Sequence, residues 1–111
     1  AERYWPGPLT LVVRTREVIH PALVKDGKVG IRIPGASPAL DVVNAFGGPL
    51  TATSANLSGH SAVGATKTLD PAVRSAVDAV VEGDSASSQP STVVDVSGAV
   101  PVVLRQGAIV L

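Results

Sequence analysis

Every strongly apolar run in this chain is short, and each is cut by proline or glycine. LTLVVR (9–14) follows Pro6 and Pro8, and its β-branched residues mark a buried strand. KVGIRIP (28–34) is closed by Pro34 and Gly35 and reads as a second strand. Near the end, STVVDVS, PVVLRQG and AIVL read as three short strands separated by Gly98, Pro101 and Gly107. PLTATS (49–54) and DAVVEG (78–83) read as two more.

Two helices interrupt this series. Ser37 precedes Pro38, a capping residue followed by proline at the first helical position. ALDVVNAF then repeats apolar residues at helical spacing, and Gly47-Gly48 ends the helix. Asp70-Pro71 repeats the signal for a short helix over 71–76. AERYW reads as the last turn of a helix, and 19–26 as a connection with one helical turn around Pro21. Residues 55–66 and 84–91 read as polar loops. Two helices and a series of short strands in mixed order predict an α/β or α+β sheet.

The chain has 111 residues, 45 % of them hydrophobic, enough for one domain with a core and too apolar for a disordered chain. No apolar run approaches a membrane span, and no basic segment leads into an apolar one at the start. Cysteine is absent, which removes disulfides and thiolate metal sites and fits the cytoplasm. Formal net charge is zero, so bulk charge points to no nucleic-acid partner. The charge is uneven, however. Residues 1–32 hold Arg3, Arg14, Arg16, Lys25, Lys28 and Arg32 against Glu2, Glu17 and Asp26, whereas 70–95 hold five acids against Arg74 alone. Ordinary scatter accounts for this as well as does a basic face suited to phosphates or carboxylates.

Much catalytic chemistry is missing. There is no GxxxxGK[ST], no GxGxxG and no HExxH, and Gly59 and Gly64 flank Ser61 at the wrong spacing for GxSxG. Tyr4 and Trp5, beside a proline turn, read as core rather than a stacking platform. Four polar islands remain, each at a predicted strand end. Thr10 and Arg14 share a face of an extended strand, as a half-exposed structural strand would also place them. PLTATSANLSGHSAVGAT (49–66) gathers Thr51, Thr53, Ser54, Asn56, Ser58, His60 and Ser61. Such groups build a nest for phosphate or carboxylate oxygens, or satisfy one another in local Asx and Ser/Thr turns. Ser91-Thr92 precedes Val93-Val94-Asp95, and Arg105 stands between an apolar run and Gly107. Hydroxyls and arginines at strand ends, with no nucleophile or metal cluster, suit binding an anionic ligand and catalysis by positioning.

The islands, in order, carry a resemblance. WPGPLT, VGIRIP, PLTATSANLSG, STVVD and VLRQGAI resemble the YrdC/Sua5 family, the L-threonylcarbamoyladenylate synthases, over residues 3–109. The resemblance implies an α/β (α+β) fold: a twisted sheet of mixed parallel and antiparallel strands, flanking helices and a concave, basic ligand face. It implies a nucleotidyltransferase that condenses L-threonine, bicarbonate and ATP, the last with Mg2+, into threonylcarbamoyl-AMP and pyrophosphate. A downstream t6A transferase complex would then carry the group to adenosine 37 of tRNA. The implied setting is cytoplasmic, with tRNA or double-stranded RNA as a further contact and no membrane. Carried over by motif, Thr10, Ser54, Asn56 and Arg105 would serve ATP, with Asn56 bracing its loop and the turn at 58–62 bordering the nucleotide. Arg14, Ala52 (through its backbone) and Ser91 would serve L-threonine. No covalent nucleophile, bound cofactor or metal site is implied. The family's segment resembling PTETVYGLG and its KxR motif do not appear here. Residues 1–111 are therefore read as a single, N-terminally truncated YrdC-like domain whose own activity is open. The alternatives are a non-catalytic nucleotide- or double-stranded-RNA-binding module and a degenerate remnant of the family.

Overall fold

A computed structural model describes residues 1–16, 18–61, 63–85 and 89–111. The chain divides into two compact units, one formed by 1–35 with 89–111 and the other by 36–88.

The first unit is built on a four-stranded sheet: β1 (Leu9–Arg14), β2 (Lys28–Ile31), β3 (Thr92–Asp95) and β4 (Val102–Arg105), in the order β2-β1-β3-β4. β1 pairs antiparallel with β2 and parallel with β3, and β3 pairs antiparallel with β4. The sheet is thus mixed, as expected. Alternation along each strand and the register across strands sort the side chains into two faces. Leu9 is opposite Thr92 and Leu11 opposite Val94, which sets these four on one face. There Leu9 and Val94 are 3 % and 4 % exposed and Thr92 is wholly buried. The other face carries Thr10, Val12 and Arg14 from β1, Lys28 and Gly30 from β2, Val93 and Asp95 from β3, and Arg105 from β4. One face is apolar and the other polar, as an antiparallel edge arrangement permits.

Across the polar face, Lys28 reaches over β1 to Asp95, Nζ to Oδ2 at 2.8 Å. Asp95 also accepts the Ser97 backbone N–H at 2.8 Å. These bonds, that of Lys28 foremost, hold the Asp95 carboxyl well below the usual carboxylate range.

The second unit holds both helices. α1 (Pro38–Phe46) starts from Ser37, whose hydroxyl accepts the Leu40 N–H, and ends at Gly47 with φ 77°, a left-handed conformation that favours glycine. α2 (Pro71–Ala76) starts from Asp70, which accepts the Ala72 N–H at 2.8 Å. Both caps and both N1 prolines stand where the sequence puts them. Single 3-10 turns occur at Pro21–Leu23, as expected, and at Thr66–Thr68. AERYW is a turn, in which the Tyr4 and Trp5 N–H groups both donate to the Ala1 carbonyl.

Three expected strands are not strands among the described residues, and the second ends at Ile31. A strand needs a ladder partner, and PLTATS (49–54) and DAVVEG (78–83) have none. DAVVEG is tethered at its end instead: Arg74 pairs with Glu82 at 2.7 Å, Gly83 N–H donates to the Thr66 hydroxyl at 2.9 Å, and the Gly83 carbonyl accepts the Thr66 N–H at 2.9 Å. AIVL is drawn off by earlier acceptors, because Ala108 N–H donates to the Pro90 carbonyl and Ile109 N–H to the Thr92 hydroxyl. Of the polar loop 84–91, residues 86–88 lie outside the described residues, as does Ala62 of the turn at 58–62.

Two outcomes are expected. A Cβ on Gly107 would press on the Pro90 carbonyl oxygen and lie 2.5 Å from the Ser91 carbonyl carbon, both backbone atoms. Gly107→Ala should therefore cost about 2 kcal/mol or more, a fall in melting temperature of roughly 10 °C. Gly64→Ala, whose Cβ meets nothing within 4 Å among the described residues, should leave the melting temperature unchanged in the same thermal unfolding experiment. The folded-state value of Asp95 lies below its ordinary 3.8. Its stabilisation is therefore complete above that range and drains away as pH falls through and below it. In urea titrations between pH 5 and pH 2.5, the stability gap between wild type and Asp95→Asn should narrow steadily.

Candidate functional site

Three of the expected site residues meet at one end of the polar face. Thr10 lies in β1, Ser91 just before β3, and Arg105 at the end of β4. The Thr10 and Ser91 hydroxyl oxygens are 2.8 Å apart, although the residues are 81 positions apart in the chain. The Arg105 guanidinium lies over Ser91. Its Nε and Nη2 donate to the Ser91 carbonyl at 3.1 and 2.8 Å, and Nη2 donates to the Ser91 hydroxyl at 3.2 Å. Ser91 itself is only 7 % exposed.

The hydrogen-bond inventory of this cluster has a definite sign. Two hydroxyls share one mutual bond, so one O–H proton is left over whichever is the donor. Among the described residues, Nη1 of Arg105 makes no hydrogen bond, leaving two more donors on a fixed cation. A cluster that offers donors and positive charge suits phosphate or carboxylate oxygens.

Arg14 shares the face of Thr10, as its spacing requires, but not the cluster. Four residues of strand separate them by about 13 Å, and Arg14 Nε donates to the Ser97 carbonyl at 3.2 Å. A cleft of about 370 Å³ has Val12, Leu23, Lys28, Gly30, Asp95 and Leu104 among its lining residues.

Ala52, Ser54 and Asn56 belong to the second unit, where Ala52 and Ser54 are exposed and not in a strand. Asn56 braces its loop: Nδ2 donates to the carbonyls of Leu57 and His60, both at 2.9 Å. Its Oδ1 is buried and has no hydrogen-bond partner among the described residues. It lines a cleft of about 180 Å³ with Leu57, His60, Ser61, Thr68 and Asp70.

The supporting roles of three residues, each named in the sequence, were not legible there. Arg32 Nε donates to the Gly7 carbonyl at 2.9 Å, holding the proline turn that leads into Thr10, and burial lowers its pKa. Gly107 abuts the Ser91 peptide. Thr92, buried on the apolar face, bonds the turn that follows Arg105. A threonine in the register of Leu9 and Val94 is the one signal that could have revealed it.

Comparison with known proteins places this architecture. The family model Sua5_yciO_yrdC, described as telomere recombination, matches residues 1–107. The threonylcarbamoyl-AMP synthase of Pyrococcus abyssi is 32 % identical over 100 % of this chain and 33 % of its own length. That of Mus musculus is 41 % identical over 86 % of this chain and 37 % of its own. The crystal structure of P. abyssi Sua5 complexed with L-threonine superposes with a TM-score of 0.84 at 30 % identity, covering 96 % of this chain and 32 % of that one. Escherichia coli YciO superposes with a TM-score of 0.68 at 28 % identity, covering 93 % and 52 %. The chain thus spans about a third of the two synthases. A match over almost every residue, with the same sheet, shows that the chain belongs to the Sua5/YciO/YrdC family.

Proposed function

We propose that this chain carries part of the substrate site of an L-threonylcarbamoyladenylate synthase. The observation that carries this reading is the Thr10–Ser91–Arg105 cluster, which offers donors and a fixed cation where the family resemblance expects ATP and L-threonine to meet. Threonine's amine and bicarbonate form a carbamate with loss of water. A carbamate oxygen then attacks the α-phosphorus of ATP, the bond to the β-phosphate oxygen breaks, and pyrophosphate leaves. No protein nucleophile is needed. The protein's work is to align the carbamate with the phosphorus and to meet phosphate charge with fixed donors.

In this reading Arg105, Thr10, Ser54 and Asn56 serve ATP, which arrives with its Mg2+, and Arg14, Ala52 and Ser91 serve L-threonine. The contact of Ser91 with both Thr10 and Arg105 supports a threonine side that adjoins the nucleotide side. The product would pass to a t6A transferase complex acting on tRNA, in the cytoplasm. Among the described residues no helix is long and apolar enough to cross a membrane. A second reading, a nucleotide- or double-stranded-RNA-binding module without turnover, draws on the gathering of Arg14, Lys28 and Arg105 on one sheet face.

The test is pyrophosphate release by the purified protein. Release that needs ATP, L-threonine and bicarbonate together is the expected result, and ATP or RNA binding without release favours the second reading. Arg105→Ala should lower kcat/KM for ATP by roughly 10- to 100-fold, the loss of one or two charge-assisted bonds. Its melting temperature should fall by only a few degrees. An equal loss of stability and activity would remove Arg105 from the site.

A further inference from the structure

Thr92 sits directly after Ser91 but faces the opposite side of the sheet, among Leu9 and Val94. Valine would fill that position with almost the same shape and no polar atom. A buried hydroxyl is costly unless bonded, and this one is saturated. It donates to the Ile109 carbonyl at 2.6 Å and accepts the N–H groups of Gly107 at 3.0 Å and Ile109 at 3.1 Å. One donor and two acceptor sites are the whole capacity of a hydroxyl.

All three bonds go to the turn that follows Arg105. That turn also lies against the Ser91 peptide: Gly107 abuts the Ser91 carbonyl, and Ala108 N–H donates to the Pro90 carbonyl at 3.0 Å. The Ser91 peptide is therefore contacted by both the Arg105 fork and the 107–109 turn, and Thr92 ties the turn down. We propose that Thr92 is a positioning residue, whose hydroxyl fixes the mutual geometry of Ser91 and Arg105 and thereby the affinity of the cluster for a phosphate-bearing ligand. The ligand half of this inference rests on the functional reading above. The geometric half does not.

Thr92→Val removes the hydroxyl and keeps the volume, whereas Thr92→Ser keeps the hydroxyl. In 15N-edited NMR of the purified protein, Thr92→Val is expected to shift and broaden the Arg105 Nε–H signal. It should also speed amide exchange at Gly107 and Ile109 by about tenfold or more. The dissociation constant for ATP should rise about tenfold, as the donors of Ser91 and Arg105 lose their fixed geometry. Thr92→Ser should return all three readouts to within about twofold of wild type, which a role in packing alone would not allow. Should Thr92→Val fail to fold, Thr92→Cys, of similar size but only weakly hydrogen bonding, takes its place with the same expected outcomes. An unmoved Arg105 signal in the hydroxyl-free variant, or a serine variant that behaves like valine, overturns the inference. Wild-type protein that binds no ATP overturns the functional reading instead, and the Arg105 signal and the amide exchange still decide the role of Thr92.

Discussion

Parallel pairing of β1 with β3 is the constraint on which the first unit depends. It joins residues 9–12 to residues 92–95, with Leu9 opposite Thr92 and Val12 opposite Asp95. Parallel neighbours cannot be linked by a tight turn, and here the intervening chain includes the whole of the second unit. Without that pairing Thr10 and Ser91 have no reason to meet. With it, a register set by apolar residues on one face automatically lines up hydroxyls and charges on the other. A slip of one residue would send Thr10 and Ser91 to opposite faces.

The second level of order is local. Arg105 comes to Ser91 because β4 pairs antiparallel with β3 and places Arg105 opposite Val93. Arg105 is exposed but anchored: two of its guanidinium nitrogens hold the Ser91 carbonyl, which orients the remaining donors. A cation fixed in this way loses less freedom on meeting an anion than a solvated lysine would. The same economy explains a sparsely charged site. Hydroxyls and backbone-anchored arginine can meet phosphate and carboxylate oxygens without a cluster of like charges.

Local signals were legible in the sequence. LTLVVR, the two capping residues before proline and the glycine after Phe46 all dictate short-range geometry, and the structure keeps each of them. PLTATS and AIVL show the limit of such reasoning, since strand propensity says nothing about whether a partner edge exists. AIVL fails because Thr92 and Pro90 take its N–H groups, a long-range event invisible in four residues. The site was legible as parts. Thr10, Ser91 and Arg105 could each be named from motif, but the resemblance assigned Ser91 to one ligand and its two neighbours to another. That all three form one hydrogen-bonded cluster follows from strand order, which spacing alone does not encode. Ala52 and Ser54 were named as well, and they remain exposed residues of the other unit.

The central claim is that Ser91 and Arg105 act as one preorganised anion-binding device. A double-mutant cycle on ATP dissociation constants, with Ser91→Ala, Arg105→Ala and the pair, addresses it most directly. One device implies losses that do not add, with a coupling energy above about 1 kcal/mol. Losses that add to within about 0.5 kcal/mol, or ATP affinity untouched by either substitution, would contradict it.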